Sequence, residues 1–263
     1  MASPRQRARR SRLIQYVVLV LVLVLVASAV DVDEMKRAFF NTEVIRSMFP
    51  DVLLIALKNT VIYTACAFAF GLVLGLVLAL MRLSPVGPYR WLATAFIEFF
   101  RGVPALVVFL AIGTGVPLAF PGRDIPGGVL GKVTLALGLV GAAYMAETIR
   151  AGIQAVPKGQ LEAARSLGMS HTRAMISVVI PQAFRIILPP LTNELILLTK
   201  DSSLVYVLGV YLETQELTKF GRETMNTSNS LTALVVVGFC YLLITIPLSI
   251  VVRQMENRSE RAR

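Results

Sequence analysis

The sequence predicts an all-α fold: a polytopic membrane bundle of about six transmembrane helices, one N-terminal and five forming a core, with a short polar helix between two of them. Three observations carry this. Of 263 residues, 56% are hydrophobic and only 16% charged, against about 25% charged in a typical soluble domain. The apolar residues gather into runs near the roughly 20 residues a helix needs to cross a hydrocarbon core of about 30 Å. The charges fall between those runs, as the flanks that orient spans do.

The first run, 13–30, follows the basic stretch RQRARRSR. Its end, Ala27-Ser28-Ala29, also has the small residues of a signal-peptide cleavage site. Retained or removed, it leaves the next run starting outside the cell. That run, 52–81, contains Gly71 and Gly75, a small-xxx-small pair suited to close helix contact. The third run, 91–120, is interrupted by Glu98, Arg101 and Pro104, so residues 91–101 have an alternative as an interfacial helix feeding a shorter span from Val103 to Phe120. Runs 129–153, 186–210 and 231–252 complete the set. The chain divides into a basic N-terminus with the first span and outer loop (1–51), a permeation core (52–252) and a tail (253–263). With the N-terminus inside, inner segments hold sixteen Lys and Arg and outer segments six, which places both termini in the cytoplasm.

The cytoplasmic passage VPKGQLEAARSLGMSHTRAMISVVIP, 156–181, is polar and sharply punctuated. Pro157 suits a first helical position and Gly168 a left-handed stop, so about three helical turns lie between them. Leu161, Ala164 and Leu167 form one narrow apolar stripe, with Glu162, Arg165 and Ser166 beside it. Ser170 then caps a second helix that Pro181 interrupts near Ile180. So short a helix is marginal alone in water. It fits either a partner's groove, with small Ala163 and Ala164 allowing close approach, or a loop folded back on its own bundle.

These residues resemble a known signature. Glu162-Ala163-Ala164, then Gly168, then Val178-Val179-Ile180-Pro181 is similar to the EAA motif of permease subunits of binding-protein-dependent ABC importers, with aliphatic exchanges at 178 and 180. FIEFFRGVPALVV (96–108), AAYMAETIRAGI (142–153), VPKGQLEAARSLGMS (156–170) and PQAFRIILPPLTNELILLTKDSSL (181–204) resemble, in order and spacing, the subfamily importing polar amino acids. The resemblance covers 52–252 and implies that 157–168 is a coupling helix docking on a separate P-loop ATPase through Gly159, Glu162, Ala163, Ala164, Arg165 and Gly168. It further implies an extracytoplasmic amino-acid-binding protein and a second permease subunit as partners, in a prokaryotic cell membrane. The phosphate-cradling pattern G-x-x-x-x-G-K-[ST] does not occur; Gly131-Lys132 is followed by Val133. The chain is therefore expected to bind no cofactor of its own and to be no enzyme, with ATP and Mg on the partner.

Ionisable residues at membrane depth are costly and face a bundle interior or an aqueous path. Glu98 with Arg101, and Glu147 with Arg150, are spaced to pair on a helix, as structural or gating ion pairs. In the fifth span Lys200 and Asp201 are expected to split the helix, Asp201 or Ser202 capping a second half whose N-terminus points inward. Lys200 or that N-terminus would then meet an amino acid's carboxylate, and Asn193 or Glu194 its ammonium, with Ser203 and Tyr144 nearby. Alternatively, Lys200 and Asp201 neutralise each other. Tyr206 is assigned to the path or to the core. The outer segments 31–51, 120–132 and 211–230 form a landing surface.

Other classes are disfavoured. The net charge of +10 lies in span flanks and not in a nucleic-acid-binding face. His171 lacks a second ligand at metal spacing, and Cys66 and Cys240 lie inside apolar runs as buried thiols. A gradient-driven carrier or channel, or a non-transporting scaffold, would keep the spans but leaves the ordered motifs unexplained.

Overall fold

The computed structural model describes residues 4–29, 31–209 and 211–261; the ends of the two terminal segments, Val30 and Val210 lie outside the described residues. Helix α1 (Pro4–Ala29) is followed by two short amphipathic helices, α2 (Val32–Phe39) and α3 (Thr42–Met48). Asp31 caps α2, accepting from the Asp33 and Glu34 amides, and Asn41 caps α3 in the same way. Every large apolar side chain from Leu13 to Leu25 is at least half exposed, a surface suited to lipid. Among the described residues four helices are long and apolar enough to span, or five when one bent pair is counted.

A π-turn (Val52–Leu57) leads into α4 (Lys58–Leu83). Next come α5 (Gly87–Gly102) and α6 (Ala105–Leu110), bent from each other by 102°. The bend has a local cause. Pro104 disfavours helical geometry in the residue before it, and Val103 is extended at φ −88, ψ 131. The interruption expected within 91–120 thus forms, as two helices meeting at a sharp bend. A π-turn and α7 (Val116–Ala119) finish this arm, and α8 (Gly128–Gln154) crosses back.

The polar passage holds α9 (Lys158–Ser166) and α10 (His171–Ala174), the latter continuing through a π-turn (Met175–Val179) into α11 (Ile180–Asp201). Two expectations are corrected here. Pro157 is the N-cap of α9, at ψ 131, and not its first helical residue. Pro181 does not stop the second helix: the Ile180 amide reaches back to the Met175 carbonyl, and this widened turn accommodates a proline near the start of α11. The helix that carries the 186–210 run therefore begins at 171.

A third correction follows at its other end. Lys200 and Asp201 do not split the span; α11 tightens into a 3-10 segment, Ser202–Leu208. Asp201 makes no side-chain cap, and the Ser202 hydroxyl donates back to the Thr199 carbonyl at 2.7 Å. No inward half-helix N-terminus forms. Two outer and terminal helices, α12 (Leu217–Ser228) and α13 (Thr232–Arg261), complete the chain.

The centre of the bundle is α4 against α8. A Cβ on Gly75 would stand 3.0 Å from the Ala142 carbonyl oxygen and from the Met145 Cβ, and one on Gly71 3.1 Å from the Gly138 carbonyl oxygen. This is the close approach that the small-residue spacing predicts. Around it packs one large apolar cluster that includes Tyr63, Leu78, Ile97, Phe109, Met145 and Leu198. A second, smaller cluster joins α3, the first turn of the second span, Leu217 and α13, and includes buried Cys240.

A polar joint ties these layers at the start of α4. The Asn59 amide donates to the Glu213 and Gln215 carbonyls at 2.8 and 3.0 Å, and the Tyr63 hydroxyl to the Thr214 carbonyl at 2.7 Å. Glu216 is fully buried there and caps α12, accepting from the Thr218 and Lys219 amides and the Tyr241 hydroxyl. Burial pushes its carboxyl from 4.5 up to about 7 despite those donors.

Two expectations follow for stability. Gly75→Ala should cost about 1–3 kcal/mol by overpacking a backbone contact, whereas Gly238→Ala, whose Cβ would meet nothing within 4 Å, should be neutral; thermal midpoints in detergent compare them. The raised Glu216 pKa means the folded state binds more protons than the unfolded between 4.5 and about 7. Stability should therefore fall as pH rises from 4.5 to about 7. Glu216→Gln should flatten this slope in the same melting measurement.

Candidate functional site

Helix α9 is held at both ends by the local sequence. At its start the Gln160 amide bonds the Pro157 carbonyl at 2.9 Å. At its end Gly168 takes φ +84, its amide bonding the Arg165 carbonyl at 3.0 Å while the Met169 amide bonds the Ala164 carbonyl at 3.2 Å. This paired closure is the Schellman stop, which favours glycine at the left-handed position. Ser170 then caps α10, accepting from the Arg173 amide.

The apolar stripe divides. Ala164 is buried and Leu161 half-buried against the bundle, with Gln182 donating to Gln160 at 3.3 Å, but Leu167 is 85% exposed. Gly159, Glu162, Ala163, Arg165 and Gly168 face outward. Ala164 is thus a seat on the chain's own bundle and not a surface for a partner, because neighbouring alanines lie about 100° apart around a helix. Neither Glu162 nor Arg165 forms an ion pair among the described residues.

Of the two expected ion pairs, one forms. Arg150 bonds Glu147 at 2.8 Å, and Arg82 adds a second guanidinium to the same carboxylate. Glu98 and Arg101 do not meet. Glu98 turns toward Arg82 on α4, at 3.8 Å, while Arg101, in the last turn before the Pro104 bend, lies over the Tyr144 ring of α8 at 5.6 Å from its centroid.

That bend opens a cleft of about 380 Å³ against α8 and α11, lined by Arg101, Tyr144, Glu194 and Asp201 among others. Because α11 stays helical, Glu194, Leu197, Leu198 and Asp201 share one face at spacings of three, four and seven. Asn193 and Lys200 are exposed on another side, Ser202 is buried in its own turn, and Ser203 is half-buried; none of the four lines the cleft. Of the expected pathway residues, only Glu194 and Tyr144 are brought together. Arg101 is the charge that sequence reasoning assigned elsewhere; its place just before Pro104 is the signal that marks it. Tyr206 is instead stacked under Arg222, 4.7 Å from its guanidinium carbon. The cleft presents one guanidinium and two carboxylates, a set able to meet a zwitterion at both ends.

Known proteins share this organisation. The chain is 38% identical over 204 residues to the probable glutamine ABC transporter permease protein GlnM of Bacillus subtilis (strain 168), covering 78% of this chain and 91% of the relative. It is 35% identical over 216 residues to the glutamate/aspartate import permease protein GltK of Escherichia coli O6:H1, covering 80% and 92%. Its structure resembles that of an amino acid ABC transporter solved with histidines, with a TM-score of 0.72 at 35% identity, covering 81% of this chain and 96% of the other. Residues 71–261, from the tight α4–α8 contact through α9 and the cleft to α13, match the model of the binding-protein-dependent transport system inner membrane component, and the chain belongs to that family.

Proposed function

We propose that the chain is the transmembrane permease subunit of an ATP-driven ABC importer that carries a polar amino acid from an extracytoplasmic binding protein into the cytoplasm. It works as a multi-pass protein of the cell membrane with both termini cytoplasmic, paired with a second permease subunit. The observation that carries this reading is the two-faced α9. One side is anchored on the bundle through Leu161 and Ala164, and the other offers Glu162, Ala163 and Arg165 to a partner. That partner is a P-loop ATPase, which supplies ATP and Mg.

Coupling then needs no chemistry from this chain. A docked ATPase that binds α9 differently in its ATP-bound and ATP-free states shifts the bundle between outward- and inward-facing forms by that difference alone. In the cleft, Arg101 meets the amino acid's carboxylate and Glu194 or Asp201 its ammonium. The amino-acid relatives and the charge set of the cleft support this substrate class.

Crosslinking from Ala163→Cys should capture the ATPase in native membranes, whereas Ala164→Cys, facing inward, should not. Capture of lipid or sister helices alone from both positions would overturn the coupling reading. In proteoliposomes, Glu194→Gln should raise the apparent KM for amino acid about tenfold to a hundredfold, the loss of one charge-assisted hydrogen bond. Uptake that persists without ATP on an ion gradient would replace the importer with a carrier.

A further inference from the structure

Beyond the cleft lies a second and larger hollow, about 580 Å³, where the end of α4, the start of α5 and the end of α8 meet. Arg82, Arg90 and Arg150 line it, with Trp91, Thr94 and Gln154, and no acidic residue does. Two of the three guanidiniums are fixed from behind. Glu147 holds Arg82 and Arg150, with Glu98 also 3.8 Å from Arg82, and Arg150 bonds the Gln154 side-chain oxygen at 2.5 Å, leaving that amide's N–H groups to donate elsewhere. Arg90 is exposed and has no ion pair among the described residues.

We propose that this groove holds the headgroup phosphate of an anionic phospholipid, in the leaflet on the side of α9. A guanidinium has five N–H donors in a fork that matches phosphate oxygens, so Arg82 and Arg150 keep donors beyond those that Glu147, Glu98 and Gln154 take. Basic pockets between membrane helices on the cytoplasmic side suit such headgroups. The groove sits at the polar ends of three apolar helices, the depth at which headgroups lie. Trp91, 78% exposed, has the amphipathic ring favoured at that depth. Leu92, Ala95 and Phe99 run up α5 as an exposed apolar stripe, a track for an acyl chain that a soluble phosphate or nucleotide would leave uncovered. The site uses none of the residues assigned to the substrate cleft and stands whether or not that cleft carries an amino acid.

The test is native mass spectrometry of the full chain released from vesicles of phosphatidylglycerol and phosphatidylcholine in equal amounts. Phosphatidylglycerol should be retained in preference, and Arg90→Gln should weaken that retention about fivefold, the worth of one basic residue near an anionic surface. Arg123→Gln, which removes the same charge from the outer loop, should leave it unchanged, and added inorganic phosphate should not displace the lipid. Trp91→Ala should weaken retention without altering charge, which separates a built site from general attraction. Equal retention of the two lipids, equal effects of Arg90→Gln and Arg123→Gln, or displacement by inorganic phosphate would each overturn the proposal. So would a groove covered by a second copy, seen as lipid bound only to dissociated chains.

Discussion

The backbone contact between α4 and α8 is the constraint on which the other positions depend. Lipid offers helices little hydrophobic reason to associate, so they must approach until backbone and small side chains interlock. Gly71 and Gly75 permit this against Gly138, Ala142 and Ala146. The register so fixed extends toward the polar end of the span. Arg82 follows Gly75 by seven residues, two turns along the same face, and meets Glu147 on α8. An ion pair in a half-dry setting is thus placed by a steric fit made two turns away.

Against that seam, the Val103-Pro104 bend and the unbroken α11 shape the cleft. Glu98 and Arg101 both lie within α5, yet Glu98 turns toward Arg82 on α4 while Arg101, in the last turn before the bend, lies over Tyr144. Had α11 broken at Lys200, as charged residues in mid-span suggest, Glu194 and Asp201 would have belonged to separate helices. Continuity puts them on one face, opposite Arg101. One helix that bends where a proline demands it, and one that stays whole where charges argue otherwise, together make a site with both signs of charge.

The contrast explains what was legible in the sequence. Features set by local stereochemistry were readable: Gly168 as the stop of α9, Ser170 as the cap of α10, the disruption at Pro104, and the Gly71/Gly75 contact. Features set by tertiary partners were not. Glu98 and Arg101 have pairing spacing, yet each finds a better-placed partner on another helix. Pro181 has the signature of a helix end, but a π-turn absorbs it, and no propensity scale registers a backbone widened by one residue. Lys200 drew attention as a charge in an apolar run, although its side chain points away from the cleft that its neighbour Asp201 lines. Ala163 and Ala164 are chemically identical, and only the seating of α9 decides which of them a partner can touch.

That seating also sets how far a push on α9 would travel in the proposed importer. The inner face of α9 rests on the π-turn Met175–Val179, and from there α11 runs 22 residues to Asp201, roughly 33 Å at 1.5 Å per residue. Pro181, Pro189 and Pro190 lie on this path; each fixes its own φ and also withholds a backbone hydrogen bond from the helix. Glu194 and Asp201 lie on this same helix, so in the proposed importer a shift of α9 would be passed along it to the carboxylates that line the cleft with Arg101. On that proposal, movement at α9 would change the charge geometry of the cleft, which is what switching affinity for a zwitterion between two states requires.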